Sequence, residues 1–156
     1  MKDEIKPEDM QSLDDVWHKL MFGLQKLDEE LWHGHLKGIS TTEIGILNIV
    51  AHQRDVILRE ITKTLGIPGS TLTSAIDRLE KRGLIRRTIN PRDRRSFGLE
   101  LTGDGMLAQQ EHIQGERLLF EKILSAYETS GERRELIRLL RVLAGHIMKE
   151  GEENNE

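Results

Sequence analysis

Residues 68–102 read PGSTLTSAIDRLEKRGLIRRTINPRDRRSFGLELT, a helix pattern followed by a strand, a turn and a second strand. Pro68 suits the first turn of a helix. Apolar residues then recur at helical spacing, at Leu72, Ala75, Ile76 and Leu79. Gly83 is a typical helix stop, so we expect one short helix between Pro68 and Gly83.

Another short helix is predicted immediately before this one. Ile57, Ile61 and Leu65 recur at a four-residue spacing, and Gly66 follows them as a stop signal. Two short helices separated by a tight turn form a helix-turn-helix. We therefore expect this motif to end at Gly83.

A β-hairpin is predicted after the helix pair. Residues 84–89 and 96–101 have the composition of strands, and the turn lies at 90–93. Gly98 interrupts the second strand, where we expect either a bulge or a more mobile hairpin. Thr102 suits the N-cap of a further helix.

Positive charge is concentrated in the same stretch. Between Asp77 and Arg95, eight basic residues stand against three acidic ones, a net charge of +5, whereas the whole chain carries −4. Such polarisation is typical of a protein that binds a polyanion. The solvent side of the second helix offers short donors and one long cation, Ser70, Thr71, Thr73, Ser74 and Arg78. Side chains of this kind suit base edges and phosphates.

The hairpin supplies the other candidate contacts. The candidate DNA-binding cations among its arginines are Arg86, Arg92, Arg94 and Arg95. A guanidinium at a hairpin tip suits a narrow minor groove, where the potential is most negative. Asp93, two residues before Arg95, can hold that side chain in position.

Two segments resemble the signature of the MarR (multiple antibiotic resistance regulator) family. One is DRLEKRGLI at 77–85, and the other is Asp93-Arg94-Arg95, followed six residues after Arg95 by Leu101-Thr102. The resemblance covers nearly the whole chain and is weakest in the first 35 residues and after Gly131. It implies a mainly α-helical, winged helix-turn-helix transcriptional regulator that binds double-stranded DNA.

The resemblance also implies roles for individual residues. Carried over by position, Ser70, Thr71, Thr73 and Arg78 would contact the major groove or phosphates. Arg95 would enter the minor groove with Asp93 as its orienter, and Arg94 would meet phosphate. The family further implies a homodimeric repressor on a pseudo-palindromic operator, released by a small-molecule inducer.

Long helical patterns flank this region on both sides. From Leu13 to Leu31, apolar residues recur at three- and four-residue steps, a stripe roughly 27 Å long at about 1.5 Å per residue. A middle helix is predicted at 103–126, and the last helix is apolar over most of its circumference from Leu136 to Met148. A terminal helix that is apolar nearly all round must be buried on more than one side, which predicts a homodimer. The alternative for all three stripes is the chain's own core, and part of each stripe belongs there.

These patterns divide the chain into four parts. Residues 1–36 form a polar start and an N-terminal dimerisation helix, and residues 37–102 form the winged helix-turn-helix lobe. Residues 103–150 form the C-terminal dimerisation helices, and residues 151–156 form an acidic tail.

The junction between the first helix and the lobe is the predicted ligand site. The family resemblance places an inducer pocket here, with Trp32 and Leu36 as its apolar wall and His33 or His35 meeting an anionic group such as a phenolate or carboxylate. The same residues have simpler explanations. Histidines near a helix C-terminus suit the helix dipole, and Trp32 also fits a core.

A metal-responsive regulator of the same fold is the alternative. His33 and His35 flank Gly34 and could chelate a metal together with His112 or Glu116. Against this, histidines two residues apart do not share a face of a regular helix, and the chain has no cysteine. We therefore expect neither a metal nor a cofactor.

Composition excludes several other classes. With no cysteine, thiol-based sensing of oxidants is excluded. The sequence contains no His-Glu-x-x-His motif, no phosphate-binding loop and no Gly-x-Ser-x-Gly elbow, so we expect no enzyme. No apolar run approaches the roughly 18 residues of a membrane span, and the charged start lacks a signal-peptide core. We expect a cytoplasmic protein.

Overall fold

The structure is a computed structural model that describes residues 4–32, 34–92 and 97–153. Within these ranges the elements are α1 Pro7–Leu31, a short 3₁₀ helix Gly34–Leu36, α2 Thr41–His52, α3 Leu58–Leu65, α4 Gly69–Lys81, β1 Ile85–Ile89, β2 Phe97–Leu101, α5 Gly103–Ser125 and α6 Ser130–Glu153. The prediction of a mainly α-helical fold with one β-hairpin is confirmed.

The chain divides into two compact units, Met1–Glu116 and Arg117–Glu156. The first contains the helix-turn-helix and the hairpin, and the second contains α6. The predicted boundaries near residues 36, 102 and 150 stay predictions.

The core lies in the first unit, among α2, α3, α4 and the hairpin. Its largest fully buried apolar side chains are Leu36, Ile46, Leu47, Val56, Ile61, Leu72, Ile76, Leu79 and Ile85. Ile61, Leu72, Ile76 and Leu79 come from the apolar faces that the helical spacing predicted. Ile46 and Leu47 come from α2, Ile85 from β1, Val56 from the loop before α3 and Leu36 from the 3₁₀ helix. Because each helix buries one face here, its opposite face is turned to solvent.

The ends of the two central helices are set by local backbone chemistry. Gly66 ends α3 in the left-handed conformation, with φ 62°, and its N–H donates to the Thr62 carbonyl. Pro68 is the N-cap of α4, one position before the first turn in which we expected it. Gly83, with φ 73°, follows α4 and turns the chain into β1.

The hairpin is regular where the structure describes it. β1 pairs antiparallel with β2 in an unbroken register from Ile85 opposite Leu101 to Ile89 opposite Phe97. The bulge expected at Gly98 was wrong. Gly98 pairs directly with Thr88, and a Cβ at this position would lie 3.0 Å from the Thr88 hydroxyl oxygen, so the missing side chain serves a close cross-strand approach.

Thr102 positions α5 against the lobe. Its hydroxyl accepts from the Gly105 N–H at 3.0 Å and donates to the Gly83 carbonyl, which confirms it as the N-cap. A Cβ on Gly105 would lie 1.9 Å from the Leu84 carbonyl oxygen. The first turn of α5 therefore rests directly on the backbone that leaves α4.

The apolar stripes of α1 and α6 are largely exposed. In α1 this holds for Leu13, Val16, Trp17, Leu20 and Phe22, and in α6 for Ile137, Leu139, Leu140, Val142, Leu143 and Ile147. Side chains of this size normally lie inside a protein or an interface. Separately, no described helix combines the length and the apolar character that crossing a membrane requires.

Candidate nucleic-acid interface

Helix α4 has one buried and one exposed face. Leu72, Ala75, Ile76 and Leu79 are buried, whereas Ser70, Thr71, Thr73 and Ser74 are exposed. The apolar face fixes the rotation of the helix, so four short polar side chains point to solvent together. Thr73 donates its hydroxyl hydrogen to the Gly69 carbonyl at 2.9 Å, which leaves its oxygen as an acceptor.

The start of α4 adds a feature that the sequence reasoning missed. The N-cap is Pro68, and its side chain makes no capping hydrogen bond to the first turn. Backbone N–H groups of a first helical turn have no partner within the helix, and they favour an anion such as phosphate. The sequence did contain a signal for this uncapped helix start, because proline has no side-chain acceptor with which to cap a helix.

Arg78 lies at the edge of this face, bound to a buried carboxylate. Its Nε donates to Glu43 Oε1 at 2.9 Å, and Glu43 is 4% exposed, while the Arg78 side chain is 56% exposed. Burial raises the pKa of Glu43, but hydrogen bonds from Ser40 and Arg78 outweigh burial and hold this pKa below its ordinary value. Glu43 is therefore ionised at neutral pH and fixes one edge of the guanidinium.

Glu43 also belongs to a capping box at the start of α2, for which the sequence Ser40-Thr41-Thr42-Glu43 has the typical pattern. It accepts from the Ser40 N–H at 2.8 Å and from the Ser40 hydroxyl at 2.7 Å, while the Ser40 oxygen accepts from the Glu43 N–H. One carboxylate thus caps α2 and holds an arginine of α4.

Two hairpin arginines are paired with carboxylates. Arg86 donates through Nε and Nη2 to Oε2 of Glu100, its cross-strand neighbour, at 3.0 and 2.7 Å. Arg87 binds Asp77 and Glu80 of α4, and its guanidinium lies 4.7 Å from the centre of the Phe97 ring. Arg87 therefore ties the hairpin to α4.

The turn arginine is also bound. Arg92 places both Nη atoms on the two carboxylate oxygens of Glu60, at 2.8 and 3.1 Å. Asn90, two residues before Arg92, is 0% exposed. The sequence pattern identified neither Glu60 nor Asn90 as a functional residue. Asp93, Arg94 and Arg95 lie outside the described residues, so the roles predicted for them stay predictions.

The residues of the predicted ligand junction differ in their exposure to solvent. Trp32 is half-buried and stacks on His112, with ring centres 5.3 Å apart and planes at 18°. A Cβ on Gly115 would lie 2.5 Å from the Trp32 ring, so glycine makes room for the indole. Leu36 is 2% exposed and belongs to the core. His33 lies outside the described residues.

His35 connects the 3₁₀ helix to α5. Its Nδ1 lies 2.8 Å from Glu111 Oε1, and its backbone N–H donates to Oε2 at 3.0 Å. The hydrogen bond to Glu111 raises the pKa of His35 above its usual 6.5. From the other side, Arg82 Nη2 donates to the His35 and Lys37 carbonyls at 3.0 and 2.9 Å. The sequence reasoning missed Glu111 and Arg82, because their proximity depends on tertiary packing.

The metal alternative gains no support. In the part of the chain that the structure describes, no group of three or more His, Cys, Asp or Glu side chains is arranged to hold a metal ion. His35 is bound to Glu111, and His112 Nε2 lies 3.6 Å from Glu116 Oε1 in the next turn of α5.

Comparisons with known proteins agree with this architecture. A family model described as MarR family matches residues 37–96. The chain is 28% identical over 116 residues to the HTH-type transcriptional repressor MdtR of Bacillus subtilis, covering 74% of this chain and 75% of that protein. It is 36% identical over 94 residues to the HTH-type transcriptional regulator PecS of Dickeya dadantii, covering 58% and 51%. Its fold is similar to Streptococcus pneumoniae FabT in complex with DNA, with a TM-score of 0.74, 25% identity, and coverage of 90% of this chain and 99% of that one.

Proposed function

We propose that this chain is a winged-helix transcriptional regulator of the MarR type, as the match of residues 37–96 to the MarR family model and the similarity to MdtR and to DNA-bound FabT support. In this proposal it is a homodimeric repressor that binds a pseudo-palindromic operator and is released by a small ligand. One observation carries the DNA-binding part of this proposal. The exposed face of α4 presents four short hydroxyl side chains, and its opposite face is locked in the core. A helix presented in this way suits the major groove.

The proposed contacts divide into base reading and backbone binding. Ser70, Thr71, Thr73 and Ser74 lie in the major groove. Arg78 and Arg86 approach phosphates from the edges of α4 and the hairpin. Arg95 enters the minor groove, oriented by Asp93, and Arg94 meets phosphate. Base contacts specify sequence, whereas phosphate contacts supply affinity that falls with salt.

In this proposal, two copies of the chain form the complete DNA-binding unit. The exposed apolar side chains of α1, and separately those of α6, are surfaces that a partner subunit would cover. Two recognition helices about 34 Å apart enter successive major grooves on one side of the duplex. Such a dimer would repress transcription by occupying a promoter, and the relative MdtR is named a transcriptional repressor. The proposed partner is chromosomal DNA, which places this protein in the cytoplasm.

The ligand would act at the junction of Trp32, His33, His35 and Leu36. Trp32 offers an aromatic surface and His35 an imidazole whose pKa is raised by its hydrogen bond to Glu111. Leu36 lies in the core. A ligand that favours a spacing of recognition helices unsuited to the operator makes the binding-competent state rare. By reciprocity, DNA weakens ligand binding by the same factor.

The test is fluorescence anisotropy with the DNA upstream of the gene and a scrambled duplex, at two salt concentrations. Wild type is compared with Arg95→Ala and with the control Arg117→Ala, which removes an exposed cation of α5. We expect wild type to prefer the upstream DNA, Arg95→Ala to cost about 1–3 kcal/mol of binding free energy, and Arg117→Ala to change little. Equal, weak binding of both duplexes by wild type would contradict the proposal.

A further inference from the structure

The base of the hairpin turn is attached to the loop between α2 and α3. Asn90 follows β1 directly and is 0% exposed. Its side-chain N–H donates to the Val56 carbonyl at 3.2 Å, and its side-chain oxygen accepts from the Arg92 N–H at 2.9 Å. A buried amide that serves both segments fixes the backbone of the turn relative to the loop.

Arg92 makes the second attachment. Both of its Nη atoms donate to Glu60 in the first turn of α3, and Nη1 also lies 3.4 Å from the Asp55 carbonyl oxygen. Glu60 Oε2 accepts in addition from the Ile57 N–H at 3.1 Å, at the N-cap of α3. Two-point pairs of arginine with carboxylate are among the stronger side-chain hydrogen bonds and fix orientation as well as distance.

The loop is shaped to receive these groups. Among the described residues, Asp55 is the non-glycine residue with a positive φ, 56°. Aspartate tolerates this left-handed conformation better than most residues, at some cost in free energy. Here it brings the carbonyls of Asp55 and Val56 to the hairpin turn.

We propose that Asn90, Arg92 and Glu60 form a wing anchor, in which Arg92 is a positioning residue that supports DNA binding by fixing the hairpin on α3 and does not contact phosphate. Glu60 takes one N–H of each Nη atom, so the paired edge of the Arg92 guanidinium faces α3. The proposed contacts Arg94 and Arg95 follow it within three residues, so movement at the anchor displaces them. The inference rests on the DNA-binding function proposed above.

The direction in which Glu60→Gln changes DNA affinity distinguishes the two possible roles of Arg92. Glu60→Gln removes a carboxylate and leaves the cation at position 92. If Arg92 contacts phosphate, this change frees it and removes a negative charge from the interface, so DNA affinity is unchanged or higher. If Arg92 acts through the anchor, affinity falls, and we expect a fall of roughly tenfold.

Non-additivity gives a second criterion. Arg92→Gln should weaken binding to the same extent as Glu60→Gln, and the double variant should bind no worse than either single variant, because all three lose the same pair. The matched control is Glu100→Gln, the same change on the same hairpin at a carboxylate that binds Arg86 but does not reach α3. It should leave affinity unchanged or raise it.

The experiment is anisotropy of the full-length protein with upstream DNA, at a temperature where circular dichroism shows every variant folded. A residue that only stabilises the fold would lower Tm and leave the affinity of the folded protein unchanged, which would overturn the positioning role. Unchanged or higher affinity for Glu60→Gln would also overturn it.

Hydrogen exchange keeps this inference separate from the proposed function. If the anchor exists, exchange of the backbone amide at position 92 should rise in both Glu60→Gln and Arg92→Gln and stay unchanged in Glu100→Gln. Unchanged exchange in the first two refutes the anchor whether or not the protein binds DNA. Wild type that fails to prefer its upstream DNA, with faster exchange in both variants, refutes the proposed function and the DNA role of Arg92 but leaves the anchor in place.

Discussion

Helix α4 and the hairpin present different surfaces although both were predicted to face DNA. On α4, the exposed hydroxyl side chains of Ser70, Thr71 and Ser74 stand over a fully buried apolar face. In the described part of the hairpin, Arg86, Arg87 and Arg92 all bind carboxylates of this chain. A count of basic residues in a sequence therefore measures the charge of a segment but not which cations remain available to a ligand. Part of the positive charge of this segment forms ion pairs that stabilise the DNA-binding lobe itself.

The largest effect should come from the buried face of α4. Ile76→Ala removes a fully buried side chain and should lower the free energy of unfolding by about 2–5 kcal/mol, because the rigid core closes only partly over the cavity. Thr71→Ala, on the exposed face of the same helix, should stay within about 0.5 kcal/mol of wild type. Urea unfolding measures both. Similar losses of unfolding free energy in Ile76→Ala and Thr71→Ala would contradict the assignment of a buried and an exposed face to α4.

Glu43 should show the next largest effect, because it joins the two helices around a buried charge. Glu43→Ala should cost about 1–3 kcal/mol, since it removes the α2 capping box and leaves Arg78 without its buried partner. Its folded pKa is lowered, so the stabilisation is present above the ordinary pKa of 4.5 and is lost as pH falls through the folded pKa. Urea unfolding at neutral and acid pH should show the difference from wild type shrink below pH 4.5. A constant difference would contradict the ionised state of Glu43.

His35 gives the opposite pH dependence at the junction. Its folded pKa is raised by Glu111, so the stabilisation by the charged pair is fully present below 6.5 and is lost as pH rises through the folded pKa. Wild type should lose Tm relative to Glu111→Gln across this window. An NMR titration of the His35 ring should give a pKa above 6.5 in wild type and a lower one in the variant. Equal pKa values would show that the pair does not form in solution.

The smallest effect on stability is expected for the Arg86–Glu100 pair. This pair also tests whether a hairpin arginine bound to a carboxylate can contact phosphate. Replacing Arg86 and Glu100 together by Gln leaves the net charge and the cross-strand contact nearly unchanged, so stability should shift by less than about 1 kcal/mol. If Arg86 also meets phosphate, the double variant should show a shallower salt dependence of DNA affinity than wild type, by roughly one unit of slope per lost contact. An unchanged slope would place Arg86 with the structural arginines.

Local signals in the sequence were sufficient for much of the fold. Gly66 and Gly83 mark helix ends, Ser40 and Thr102 mark helix starts, and all four act through backbone chemistry within a few residues. Gly98 shows where such signals are ambiguous. A glycine in a strand indicates either a bulge or a close approach, and the choice depends on Thr88 in the facing strand, which only the register reveals.

The partners of the charged side chains could not be predicted in the same way. Arg92 and Glu60 are 32 residues apart, Arg78 and Glu43 are 35 apart, and His35 and Glu111 are 76 apart. Such pairs form only after helices and hairpin have packed, and many carboxylates in an acidic chain are possible partners for each cation. The sequence identified the basic surface but not the division of its arginines between structure and DNA.

The most direct test of the account is the ability of α4 to discriminate between sequences. The Thr71→Ala, Ser74→Ala double variant keeps the core and the hairpin, so its Kd ratio between scrambled and upstream DNA can be compared with that of wild type by competition anisotropy. We predict that the ratio falls towards one while binding to scrambled DNA stays unchanged, because base contacts carry specificity and phosphate contacts do not. A ratio equal to that of wild type, in a folded variant, would contradict the assignment of α4 as the element that reads DNA.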